Sequence, residues 1–210
     1  MNNIETAISQ LLRDKPFYAH FFLGAVQDYD SKKISTAGVG FFNNKINFVW
    51  NKSFLSELAP SEVKFVIQHE IAHVMFEHIY YDYKGNKINK SNANIAQDCA
   101  INQIIDGTVP KKAVTLVSLS KTLGKNLLAK QSWLYYYNEI EDFAKKNPDK
   151  CMPDFSYDSH DWGDGDGSGE SKETKEDMAL KKAALKHAID QAVKQSKGVV
   201  PQEVLQLDLS

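Results

Sequence analysis

The chain has 210 residues, enough for one domain with a sizeable core or for a domain carrying a helical extension. An apolar fraction of 42% and a charged fraction of 25% are ordinary for a globular protein, and a net charge of −2 gives no electrostatic case for nucleic acid or an anionic membrane surface. There is no secretory signal in Met1-Asn2-Asn3-Ile4-Glu5, no run of the roughly 18 apolar residues that span a bilayer, and no disulfide framework or Cys-x-x-Cys pair in Cys99 and Cys151, so a cytoplasmic protein with reduced thiols is expected.

Ile4, Ile8, Leu11 and Leu12 recur at helical spacing, which predicts a helix over 3–13, broken at Lys15-Pro16. The apolar run Phe17 to Val26 predicts a second helix, with His20 as a packed or hydrogen-bonded histidine rather than a ligand. Ile34 to Phe42 reads as a strand, Phe42-Asn43-Asn44-Lys45 as a turn, and Ile46 to Trp50 as a half-buried strand. The resulting hairpin is either purely structural or offers an edge to which an extended peptide can pair its backbone. Asn51 to Leu58 reads as a connector with a short helical turn.

Pro60 and Ser61 then start a helix, expected to end near His78, that carries His69-Glu70-Ile71-Ala72-His73. At about 100° per residue, His73 lies only about 40° round from His69, so both imidazoles can hold one ion. Glu70 falls about 100° from His69, where a carboxylate can act as general base without being a ligand. Val63, Ile67, Ile71 and Val74 form a separate apolar stripe, leaving His69, Glu70, His73 and Glu77 on a polar face. Glu77 is a poor third ligand, being two turns and about 12 Å along the axis from His69. His78 falls on the apolar stripe, and the related pattern with a later histidine needs a Gly before it, whereas Val74-Met75-Phe76-Glu77 contains none. His78 therefore reads as a core histidine. The alternative for the motif as a whole is two solvated histidines on an exposed face.

Ile79 to Asn92 reads as a loop, with Tyr80, Tyr81 and Tyr83 as packing residues or phenol donors. Ala93 to Ile105 is the next predicted helix. On its wheel Asp98 lies about 20° from Ile105 and about 60° from Ile95 and Ile101, in the middle of an isoleucine stripe and near Asn102. A carboxylate on a buried face is costly unless it is paired or binds metal. Asp98 is therefore expected as the third metal ligand; the alternative is a structural Asp bonded to backbone or to Asn102.

Asp106 to Pro110 reads as a turn, Lys111 to Leu127 as mixed with an extended piece at Ala113 to Val117, and Gln131 to Lys146 as a helix. The Gly, Ser and Asp content of Asp154 to Asp177 suggests a flexible loop. Asp164 to Glu170 partly matches a calcium loop, but Lys175 stands where the closing glutamate belongs. His160, between Asp158 and Asp161, is read either as a fourth ligand or oxyanion donor, or as a solvated loop histidine. Thr174 to Lys197 predicts a charged helix stopped at Gly198, and a further helix is expected to begin after Pro201.

Taken together, these residues resemble the zincin-like metallopeptidase domain of bacteria and their phages that is often fused to a von Willebrand A-like domain. The resemblance is carried by Pro16-Phe17-Tyr18, Ser35-Thr36-Ala37, His69-Glu70-Ile71-Ala72-His73 with His78, and Ala96 to Asn102. Asp158 to Trp162 and Gly198 to Pro201 echo it more weakly, and the sequence holds no von Willebrand A-like domain. The resemblance implies zinc held by His69, His73 and Asp98, Glu70 as base, and a role for His160 at the site. The expectation is an α+β, zincin-like domain, mostly helical, with a small hairpin or sheet beside the motif helix. Its core would span 1–153, with a loop over 154–177 and a helical segment over 178–210. The expected function is zinc-dependent peptide-bond hydrolysis on a peptide or protein substrate. The alternatives are a zinc-binding interaction module without catalysis, such as a phage factor acting on a host protein, and a metal-free structural domain.

Overall fold

The computed structural model describes residues 2–28, 34–81, 85–148 and 175–201. Among these, eight α-helices accompany a three-stranded sheet, an α+β arrangement as expected. In chain order they are α1 (Asn3–Asp14), α2 (Pro16–Gly24), β1 (Val26–Asp28), β2 (Ala37–Phe42), β3 (Lys45–Trp50), α3 (Lys52–Glu57), α4 (Pro60–Met75), a 3₁₀ turn (His78–Tyr80), α5 (Lys90–Ile101), α6 (Leu116–Leu123), α7 (Trp133–Lys146) and α8 (Lys175–Gln195). Two compact units result, Met1–Tyr80 with Asp158–Ser210, and Tyr81–Tyr157. His160, the Gly/Asp-rich stretch around it and the stretch after Pro201 lie outside the described residues.

In the first unit the sheet order is β1-β3-β2, with β1 parallel and β2 antiparallel to β3. Asn43 and Asn44 turn the hairpin with φ of 50° and 58°, the paired positive values of a two-residue turn whose twist matches the strands it joins. The predicted second helix is shorter than its apolar run: it stops at Gly24, and Val26 starts β1 instead. Gln27 on that strand accepts from Trp50 Nε1 at 3.0 Å and donates to Phe22 O at 2.6 Å, which explains why a polar residue is useful there. Phe22, Phe48 and Trp50 form an aromatic cluster with ring centroids 5.2 to 5.9 Å apart. α8 packs on α2 and β3 through buried Leu185, Ile189 and Ala192. α4 is braced by α1, α2 and β2.

The second unit is held by α5, α6 and α7. Ala93, Ala96, Cys99, Val114, Leu119, Leu127, Tyr136, Tyr137 and Ile140 are its buried core. The extended piece expected at Ala113 to Val117 is corrected here: α6 begins at Leu116. Thr115 caps it by accepting from Ser118 N at 3.0 Å, and Gly124 ends it at φ 63°. Thr-x-x-Ser before a short apolar run is a weak cap signal, easily lost among β-branched residues. Tyr136, fully buried, donates its hydroxyl hydrogen to Leu128 O at 2.8 Å and accepts from Gln103 Nε2 at 3.0 Å and Gln131 N at 3.2 Å.

Candidate metal centre

α4 starts where the sequence places it. Pro60 occupies the first turn, and Glu62 reaches back to accept from Ala59 N at 2.9 Å, satisfying a helix-start donor. From Phe65 to Met75 every residue is buried. The apolar stripe of Val63, Ile67, Ile71 and Val74 is in the core as expected, but His69, Glu70 and His73 of the polar face are buried as well. His69 is 7% exposed, Glu70 1% and His73 0%. The reading of two solvated histidines on an exposed face is thereby overturned.

His69 Nε2 and His73 Nε2 lie 3.1 Å apart, one helical turn from each other. Two imidazole nitrogens at this separation cannot both present bare lone pairs; a hydrogen or a cation must lie between them. A tetrahedral zinc about 2.05 Å from each nitrogen would hold them about 3.3 Å apart. The pair is thus close to the spacing that one ion requires. Phe65 stacks beside His69 with centroids 6.4 Å apart, giving that ring an apolar wall.

α4 ends earlier than expected. Its last residue is Met75, Phe76 is the cap, and Glu77 takes a left-handed φ of 57°. His78 is therefore not on the helix wheel at all. The chain turns at Glu77, without a Gly, and brings His78 Nδ1 to 3.2 Å from His73 Nδ1. His78 is 6% exposed, so it is buried as a core histidine would be, but its contact is to a motif histidine. Nothing in Val74 to Glu77 signals that turn, because Glu seldom adopts positive φ.

Asp98 belongs to the second unit, on α5, and is 3% exposed, so the costly buried carboxylate inferred from the sequence is present. The isoleucine stripe used to infer it is only partly right. α5 ends at Ile101, Ile105 lies beyond it, and Ile95 is only half-buried; Ala93, Ala96 and Ile101 bury the helix instead. Asn102, the residue after the helix, donates through Nδ2 to Val114 O at 2.8 Å. Burial, with the Asp98 charge adding to it, pushes the Cys99 thiol up to about 12, so it stays protonated near neutral pH and is no thiolate donor.

The family model described as "Putative metallopeptidase domain" matches residues 1–203. The chain belongs to this family. No curated protein and no solved structure matches it. Membership of a metallopeptidase-domain family implies a metal cofactor and metal-dependent hydrolysis, and the buried pair of imidazoles on α4 suits that chemistry. Among the described residues no helix is long and apolar enough to cross a membrane.

Proposed function

We propose that this chain is a zinc-dependent peptidase in which His69, His73 and Asp98 hold the metal and Glu70 is the general base. The reading is carried by the 3.1 Å approach of His69 Nε2 and His73 Nε2 inside a buried helix. Two neutral imidazoles and one carboxylate form a donor set that suits zinc and leaves a fourth position open. When bound, zinc would supply Lewis acidity, lowering the pKa of a water toward about 7 and polarising a peptide carbonyl.

Glu70 follows His69 directly on α4 and is buried, so its carboxylate is held in a fixed place rather than sampling solvent. It would take a proton from the attacking water as the new C–O bond forms. It would then return that proton to the leaving nitrogen as the C–N bond breaks. Burial excludes competing water and strengthens each of these contacts.

The test is peptide cleavage by the purified chain, read by mass spectrometry on a peptide library, together with zinc content. Wild type should cleave with about one zinc per chain, and Glu70→Gln should keep the zinc but lose about 10²–10⁴-fold in rate. Undiminished cleavage by Glu70→Gln, or undiminished zinc in His69→Ala, would overturn the assignment. Zinc binding without any cleavage by wild type would leave an interaction module.

A further inference from the structure

The turn after α4 supplies a role that the motif does not contain. We propose that His78 is a positioning residue for the metal site: it accepts the Nδ1–H of His73 and so fixes His73 to present Nε2 to the ion. This inference rests on the metal reading above and extends it by one residue.

His73 Nδ1 and His78 Nδ1 are 3.2 Å apart, so one hydrogen lies between them and one of the two rings must donate it. The other nitrogen of His73, Nε2, faces His69 Nε2 at 3.1 Å. If Nε2 is the metal-binding nitrogen, the single proton of neutral His73 must be on Nδ1. His73 is then the donor and His78 the acceptor, which leaves the proton of His78 on its own Nε2. The two nitrogens of an imidazole point away from each other, so His78 Nδ1 lies on the side of His73 remote from His69. Through that nitrogen it cannot be a ligand to the same ion, but it sits where an outer-shell partner belongs.

The local backbone supports this placement. Phe76 N and Glu77 N close the end of α4 onto Ala72 O at 2.9 Å and Val74 O at 3.1 Å. Left-handed Glu77 then reverses the chain and turns His78 back onto the helix it has just left. The His73 and His78 rings meet edge to face with centroids 5.0 Å apart, and Phe76 stacks on His78 at 6.0 Å. Ring packing thus restrains His78 as well as its hydrogen bond. A left-handed conformation is unfavourable for a non-glycine residue such as Glu77, and such strain collects where a side chain must be aimed.

The experiment uses the full chain and zinc alone. Zinc affinity is measured by competition with a chromophoric chelator for wild type, His78→Leu and His78→Asn. Imidazole ¹⁵N NMR of the zinc-loaded wild type reads the tautomers. His78→Leu should weaken zinc by about 10–100-fold, the usual loss of an outer-shell partner. His78→Asn, whose Oδ1 can accept where Nδ1 did, should recover most of that loss. The spectra should show His73 metallated at Nε2 with a proton on Nδ1, and His78 protonated on Nε2 only. Undiminished affinity in folded His78→Leu, or a His78 proton on Nδ1, would overturn the proposal. If His78→Leu does not fold, the wild-type tautomers decide. Wild type that binds no zinc would refute the metal reading itself, a result distinct from failure of the His78 role.

Discussion

His69 Nε2 and His73 Nε2 approach to 3.1 Å with both rings buried, a separation at which a hydrogen or a shared cation must lie between them. A metal that binds only the folded chain must stabilise it. At 1,000 times the dissociation constant the gain is about 4 kcal/mol, enough to raise the melting midpoint of a chain this size by about 10 °C. Zinc should produce this shift, a chelator should reverse it, and His69→Ala should remove it. A midpoint indifferent to zinc and chelator in wild type would contradict the site.

Asp98→Ala should weaken zinc by more than the about 10–100-fold expected for an outer-shell residue. The ordering is the informative result, because the proposal makes Asp98 a ligand and His78 only a ligand's partner. Chelator competition on the two variants checks it. An Asp98→Ala loss smaller than that of His78→Leu would remove Asp98 from the donor set and restore the structural reading of that carboxylate.

Much of this was readable from residue order, and the failures have physical causes. His69 and His73 are placed by helical period alone, and Asn43-Asn44 by turn chemistry, so both appear where the sequence puts them. Asp98 is buried as inferred, but the helix stops at Ile101, so Ile105 never joins the stripe that suggested it. The end of α4 was illegible because a tertiary fold-back, not a Gly or Pro, imposes the left-handed state on Glu77. Helical periodicity consequently puts His78 on a wheel it does not occupy. β1 was hidden because Val26 continues an apolar run that began in α2, and three residues give too little alternation to mark a strand.

The conformation of Glu77 is itself testable. Its φ of 57° is open to Gly without a Cβ penalty and is most hostile to β-branched residues. Glu77→Gly should match wild-type stability or exceed it by about 1 kcal/mol, relief of the steric cost being partly offset by a more flexible unfolded chain. Glu77→Val should lose about 1–2 kcal/mol and, by disturbing the turn, weaken zinc as well. Urea midpoints and chelator competition read the two effects. Equal stability of the Gly and Val variants would show that the turn relaxes when the site is altered.

In the second unit, Tyr136→Phe removes a buried hydroxyl that joins Leu128 O, Gln103 Nε2 and Gln131 N. The ring is retained, so packing should survive while polar groups lose a partner. A cost of about 1–3 kcal/mol is expected, with faster amide hydrogen exchange at Gln131. Unchanged exchange at that amide would mean water replaces the hydroxyl without loss.

Asp14 links α1 to the start of the motif helix: Arg13 Nε lies 2.7 Å and Lys64 Nζ 3.2 Å from its carboxylate. Hydrogen bonds from Arg13 first, and from Lys64 second, hold its carboxyl at about 2, below the ordinary 3.8. A carboxylate whose pKa is lowered by folding binds fewer protons in the folded than in the unfolded chain through that interval. Its contribution is therefore present above about pH 4 and is lost as pH falls toward about 2. The group is exposed, so solvent and salt screen the effect and it should be small. Asp14→Asn should be slightly less stable than wild type at pH 6, with the gap closing by pH 2 and narrowing at high salt. Paired urea titrations across that range measure it. A gap that persists unchanged at pH 2 would assign the difference to packing between α1 and α4 rather than to charge.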